Sequence, residues 1–395
     1  MTGAAGFIGS HLCESLLKRG FDVRGLDAFT SFYDPARKHA NIRALLDEQA
    51  FGLVDADLLT PGLADLLDDV DAIAHLAGEP GMSTSWGPGF ERYLERNVLA
   101  THRLLLAAST RGIQRFVYAS SSSVYGVQVD ALASGAADGA ADGAADEMAD
   151  ALRQRGEPRP ASPYGVSKLA AETLVGAHAR SHGLQTVSLR YFSVYGPRQR
   201  PDMAAHRFIE ALLDSRPLTL FGDGGQVRDF TYVGDIVEAT VKALLADLPP
   251  GAVLDIASGW PVEVRALIDL VGELVGVGTT PLQQQAERAG DVPRTQGRIA
   301  AAAQHLGWEP TTDLRTGLTR QIAWHRELRD ERPVRGTDEI RDPSSGGPTT
   351  PHSARPLVAS CAHQADRRAT ADLLPDGLGL GHLRRTWRHV RTSAC

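Results

Sequence analysis

Cysteine is scarce in this chain: of 395 residues only Cys13, Cys361 and Cys395 carry a thiol, and none sits in a CxxC or Cys/His spacing. No disulfide framework and no metal site can be read from that, and a reducing, cytoplasmic setting is the expectation. Long apolar runs are missing too. No segment approaches the roughly 18 residues of a membrane span, and no basic-then-apolar leader precedes the first motif, so no membrane partner is expected. Nor is there an excess of basic charge, with 41 Lys and Arg against 48 Asp and Glu and a formal charge of −7. That balance offers no footprint for a phosphate backbone, and nucleic acid is not expected as a partner.

What is present is an ordinary globular composition, 43% hydrophobic and 23% charged, with length enough for two domains and a remainder. Short apolar or β-branched runs alternate with segments of helical period: FDVRGLD from Phe21, VDAIAHLAG from Val70, RFVYASSSS from Arg115 and QTVSLRYF from Gln185. Alternation of this kind predicts an α/β fold, parallel strands joined by crossover helices in a doubly wound sheet. Helices are expected over 90–111, with Leu94, Val98, Leu104 and Leu105 facing inward, and over 164–182. After Tyr191 the pattern becomes irregular, with helices expected over 207–213 and 233–244. Residues 1–192 therefore read as one domain and 193–330 mainly as a smaller C-terminal one, some of whose segments return to the large sheet.

Two stretches do not fit a packed core. Within 127–161 the motif Gly-Ala-Ala-Asp repeats three times over 135–146, which predicts a mobile loop or a solvated helix. Residues 331–395, rich in Arg, Pro, Ser, Gly and His, are expected to be disordered.

Near the start, Gly3-Ala4-Ala5-Gly6-Phe7-Ile8-Gly9 has glycines at GxxGxxG spacing and runs into a helical pattern. Glycines permit a tight strand-to-helix turn and close approach of backbone amides to a pyrophosphate at the helix N-terminus. About 20 residues on, Asp27 ends the next strand, where its carboxylate suits an adenosine ribose 2′-hydroxyl and repels a 2′-phosphate. NAD is thus the expected cofactor, with Asp57 of Asp57-Leu58 in reach of the adenine amine. Only Met1 and Thr2 precede the first glycine, so the innermost strand is expected to be truncated, either because the true start lies upstream or because a piece of the core is lacking.

Tyr164 and Lys168 stand four apart at the head of a helix, which puts a phenol and an ammonium on one face; a neighbouring cation favours the phenolate, making Tyr164 a candidate general base. Ser120, Ser121, Ser122 and Ser123 end a predicted strand, where ligands sit in such sheets and where a hydroxyl can share a proton with the substrate and the tyrosine. These residues alone indicate an NAD-linked oxidoreductase.

Together the motifs resemble those of the extended short-chain dehydrogenase/reductases, specifically the NAD-dependent nucleotide-sugar epimerases and dehydratases, from Thr2 to about Leu328. The resemblance implies a Rossmann-type domain and a Ser121, Tyr164, Lys168 triad. It also implies a structural Asn97 in ArgAsnValLeuAlaThr, and a cofactor lining that includes Phe7, Ile8, Leu58 and Ala77 of Ala77-Gly78. Ser193 and Arg200, in the run from Leu189 to Met203, fall in the segment that crosses to the sugar-nucleotide domain. Arg228, with Arg288 and Asp291 of Arg288-Ala289-Gly290-Asp291, falls in motifs whose arginines hold the substrate diphosphate. Family members often pair as homodimers through two helices per subunit, here those containing Asn97 and Tyr164.

The family removes the proton of a sugar hydroxyl, usually O4, and forms a 4-keto intermediate. Dehydratases carry an Asp-Glu pair where this chain has Ser122 and Ser123, and decarboxylating relatives usually have Glu at the latter. The Ser-rich strand end therefore resembles the UDP-glucuronate 4-epimerase branch, with small hydroxyls holding a C6 carboxylate. An NAD-dependent nucleotide-sugar 4-epimerase acting on UDP-glucuronate or UDP-glucose is the leading expectation. A 4,6-dehydratase, a decarboxylase or a 4-keto reductase would differ by net NAD turnover or a stable keto product. A non-catalytic NAD-binding protein would survive loss of Tyr164. Ser83 stands where relatives often place Arg.

Overall fold

The computed structural model describes residues 1–127, 158–278 and 281–330, all within one unit, Met1–Val334. The Gly-Ala-Ala-Asp repeat and the 331–395 tail lie outside the described residues. The glycine turn leads into α1 (Phe7–Lys18), followed by β1 (Val23–Asp27), α2 (Pro35–Ile42), β2 (Phe51–Asp55) and β3 (Ala72–His75). Next come α3 (Phe90–Tyr93), a π-helical turn (Leu94–Leu99), α4 (Ala100–Thr110), β4 (Arg115–Ser121), α5 (Pro163–His182) and β5 (Thr186–Tyr191). The remainder is β6 (Ser193–Tyr195), α6 (Ala204–Leu213), β7 (Leu218–Phe221), β8 (Val227–Tyr232), α7 (Val233–Leu245), β9 (Ala252–Ile256), β10 (Pro261–Glu263), α8 (Val264–Val275), β11 (Leu282–Gln285), α9 (Ala300–Leu306) and α10 (Leu314–Asp330).

β1 pairs in parallel with β2, and β3, β4, β5 and β9 form a second parallel ladder. Thr2 bridges both halves, to Leu26 on one side and His75 on the other. Thr2 is thus a single bridging residue at the centre of the sheet, the position where strand order reverses in a doubly wound fold. Along β4 the side chains alternate in period two. Val117 and Ala119 pack with Phe7, Leu12 and the apolar face of α7, whereas Phe116 and Tyr118 pack with Leu104, Leu105 and Val175 of α4 and α5. A third core gathers Phe208, Ile209, Leu218, Phe230, Leu267 and Ile322 around the short sheets β10-β8-β6 and β11-β7.

α5 starts where Ser162 accepts from the amide of Gly165, with Pro163 in the first turn, and stops at Gly183 in the left-handed region. The helix expected over 90–111 contains the π-helical turn, which changes its facing: Leu94 is 43% exposed, not inward, while Asn97, Leu104 and Leu105 are buried. Among the described residues no helix is long and apolar enough to cross a membrane.

Candidate active site

The carboxyl ends of β1, β4 and β5 and the glycine turn border a cleft of about 400 Å³. At one end Gly3, Gly6, Phe7, Ile8 and Gly9 line it. Gly3 has φ of 70°, and a Cβ there would stand 2.8 Å from the amide nitrogen of Ala77. A Cβ on Gly9 would stand 2.0 Å from the carbonyl oxygen of Gly3. Only glycine fits this close approach of turn, helix and strand end. Gly6 caps α1 without a side-chain bond, and the first turn holds no acid, so the helix amides and the positive helix end suit a diphosphate.

Asp27 sits beside that turn, buried, its carboxylate accepting from the amides of Ala5 (3.1 Å) and Phe29 (2.8 Å). Asp57 and Leu58 line the same end, with Arg96 Nη1 3.1 Å from the Asp57 carboxylate. The donor set fits a dinucleotide whose ribose meets a fixed carboxylate.

Ser121, Ser122, Ser123, Tyr164, Lys168, Ser193 and Arg200 line the other end. The Ser121 hydroxyl lines the cleft with the Tyr164 phenol and accepts from Ser123 Oγ at 2.9 Å. Burial pushes the phenol above its usual range, while Ser121 and the Arg200 charge pull it back. Lys168 Nζ donates to the Ala119 carbonyl (2.9 Å) and lies 5.1 Å over the Tyr118 ring, and burial lowers its pKa to about 8. Both groups are desolvated, and burial raises the phenol while it lowers the ammonium.

Asn97 lies behind the lining, not in it. Its Oδ1 accepts from the Glu79 amide (2.7 Å), and its Nδ2 donates to the Glu79 carbonyl (3.0 Å) and to Ser167 Oγ (2.9 Å). Asn97 so ties the Ala77–Glu79 loop, which lines the cleft, to the helix carrying Tyr164 and Lys168. Arg228, Arg288 and Asp291 do not line the cleft either. Arg228 pairs with Asp291, and Arg288 stacks 3.6 Å from the Phe221 ring centroid.

A family model described as the NAD dependent epimerase/dehydratase family matches residues 1–257. The chain belongs to that family. It is 41% identical over 325 residues to an uncharacterized UDP-glucose epimerase, YtcB, of Bacillus subtilis, covering 82% of this chain and 96% of that protein. A crystal structure of UDP-glucuronic acid 4-epimerase from Bacillus cereus, with UDP-glucuronic acid and NAD, superposes with a TM-score of 0.74 at 37% identity, covering 83% of this chain and 98% of the other. MoeE5 in complex with UDP-glucuronic acid and NAD gives 0.69 at 38%, with the same coverages; MoeE5 has also been solved with UDP-glucose and NAD.

In this epimerase/dehydratase the cleft also includes residues that the motifs did not reveal: Thr30, Phe32, Tyr33, Lys38, Glu79 and Met203. Lys38 Nζ is 3.3 Å from Asp27 Oδ1. The signal available was the Asp34-Pro35 start of α2, which places Lys38 one turn inside that helix and facing back to the end of β1. Behind the serines, Ser120 donates to Glu172 (2.6 Å), which holds Arg190, and the Arg190 guanidinium lies 4.6 Å over Tyr125, itself donating to Asp255 (2.7 Å).

Proposed function

We propose that the chain is an NAD-dependent nucleotide-sugar 4-epimerase acting on UDP-glucuronate or UDP-glucose. One observation carries the reading: Ser121, Tyr164 and Lys168 share a single cleft with the glycine turn and Asp27. When bound, NAD supplies a hydride acceptor and a positive ring that lowers the phenol's proton affinity. Glycines 3, 6 and 9 with Phe7 and Ile8 would hold its diphosphate end, and Asp27, Asp57, Leu58 and Ala77 its adenosine end. Tyr164 removes the hydroxyl proton at O4 of the sugar, and Ser121, beside that phenol in the cleft, steadies the oxygen. Lys168, fixed by the Ala119 carbonyl, holds the reacting ends together and adds positive charge next to the forming phenolate.

Ser122, Ser123 and Ser193 offer hydroxyls at the sugar end, and Arg200 lies there in a bidentate pair with Asp202 at 3.0 Å per contact. Neither Ser122 nor Ser123 can act as a general acid near neutral pH, which disfavours elimination of water. For the diphosphate we assign Arg288, stacked on Phe221, with Arg228 and Asp291 bracing its loop. Residues 1–192 would then carry the cofactor and 193–330 mainly the nucleotide sugar. A homodimer is supported by exposed Leu94, Leu99, Leu106 and Val166 on the helical run around Asn97 and on α5. The buried free thiol of Cys13 agrees with a reducing, cytoplasmic setting.

The test is an NMR time course of the full chain with NAD and either UDP-glucuronate or UDP-glucose. Appearance of the C4 epimer, without net NADH, is expected from at least one. Formation of neither epimer refutes the proposal, and a persistent keto sugar or accumulating NADH selects a dehydratase, decarboxylase or reductase.

A further inference from the structure

Away from the cleft, α6 and α10 cross with three potential ligands between them. His206 and Glu210 are one turn apart on α6, and His325 comes from α10. One ligand atom from each lies within 4.8 Å of the others. We propose that His206, Glu210 and His325 form a binding site for a borderline divalent cation of the zinc type. A tetrahedral ion with bonds of about 2.0–2.2 Å separates its ligands by roughly 3.3–3.5 Å, so binding opens the 2.6 Å contact between His325 Nδ1 and Glu210 Oε1 and draws the three groups around the ion.

The independent indication is the state of the two imidazoles. His206 and His325 are 3% and 1% exposed, and their rings meet edge to face with centroids 4.5 Å apart. His206 Nδ1 and His325 Nε2 are buried with no hydrogen-bond partner. A buried polar atom without a partner is uncommon and calls for an ion or a water, and here two of them belong to adjoining rings. The donor set, two imidazoles and one carboxylate, suits zinc and related dications and leaves a fourth position open. Entry is available from a second cavity of about 270 Å³, lined by His206 and Glu210 together with Arg37, Arg207 and Arg216.

Cations oppose the ion: Arg207 and Arg216 line the entry, and two further arginines touch the ligands. Arg37 Nη1 lies 3.4 Å from His206 Nε2, and Arg329 Nη2 lies 3.3 Å from Glu210 Oε2. Both contacts are long, and Arg329 keeps a shorter one, 2.8 Å, to Asp214. An ion can displace them while Arg329 keeps its contact to Asp214. Its role would be a clamp: His206 donates its amide to Gln199 (2.9 Å), Gln321 on α10 donates to the same oxygen (2.8 Å), and Gln199 adjoins Arg200 of the cleft. Binding would fasten α6 and α10 around the segment that carries Arg200. This inference does not rest on the proposed reaction.

The experiment uses the full-length chain stripped with a chelator and titrated with Zn²⁺ against a chromophoric competitor, with Co²⁺ absorption as a second readout. One equivalent bound at micromolar or lower concentration is expected, with visible Co²⁺ bands of a low-coordinate N/O site and a melting temperature raised by zinc. His206→Asn and His325→Asn should each weaken binding by about 100-fold, and Glu210→Gln by about 10-fold. Glu210→Gln keeps the side-chain shape at a partly exposed position, and the Co²⁺ spectrum needs no variant, so a misfolded histidine variant does not blunt the test. Absence of stoichiometric binding, or equal binding by wild type and all three variants, overturns the proposal.

Discussion

Replacing Asn97 by Leu tests whether that side chain is the brace between the cofactor loop and the catalytic helix. Leu matches Asn in size but removes three buried hydrogen bonds, leaving the Glu79 amide, the Glu79 carbonyl and the Ser167 hydroxyl with one partner fewer. Ser167 retains its bond to the Tyr164 carbonyl (2.8 Å), so the cost falls mainly on Glu79. An unsatisfied buried backbone group costs about 1–3 kcal/mol, and greater apolar burial returns about 1 kcal/mol, so a net loss of about 3 kcal/mol is expected. Because Ala77, Gly78 and Glu79 line the cleft, NAD affinity should fall by at least ~10-fold, the equivalent of about 1.4 kcal/mol. Urea unfolding at fixed pH measures the first and titration of protein fluorescence with NAD the second. Ser167→Ala should cost only about 1 kcal/mol, and the double variant should fall short of additivity by a similar amount, since one bond is shared. A stability within about 1 kcal/mol of wild type together with unaltered NAD affinity would refute the bracing role.

Tyr164→Phe should lower turnover by about 10³-fold while NAD still binds, measured by NMR turnover and fluorescence titration on the same preparation. Asp27→Asn should weaken NAD and raise the relative affinity for NADP, read as the ratio of the two dissociation constants; an unchanged ratio would remove Asp27 from the ribose site. Lys168 is held at about 8 in the fold by burial, below its unfolded value of about 10.4, so between these values the unfolded chain binds more protons. Stability should consequently rise by about 3 kcal/mol as pH goes from 8 to 10.5, and urea unfolding should find this increment missing in Lys168→Met. The proposed homodimer predicts that Leu99→Glu combined with Leu106→Glu lowers the molar mass seen by light scattering, and an unchanged mass would remove that face from any interface.

The parts of the fold that were legible in the sequence are local. The apolar run of Arg115–Ser121 and the capped helix from Pro163 each carry their own propensity, turn chemistry and apolar spacing, so strand, helix and order could be read without coordinates. So could the glycine turn, whose spacing is a direct consequence of backbone contact. Leu94 was misread because a π-helical turn rotates the face of the helix, which a 3.6-residue period does not anticipate.

What tertiary structure alone decided are the pairings between distant positions. Thr2 is a bridging residue because Leu26 and His75 flank it on either side. Lys168 turns to the Ala119 carbonyl, and burial, which no spacing rule measures, sets its proton affinity and that of Tyr164. Glu210 meets His325 across 115 residues only because two amphipathic helices pack together. Local order comes from interactions between near neighbours in the chain and is written there; electrostatics and ligand geometry depend on which surfaces are brought out of water together.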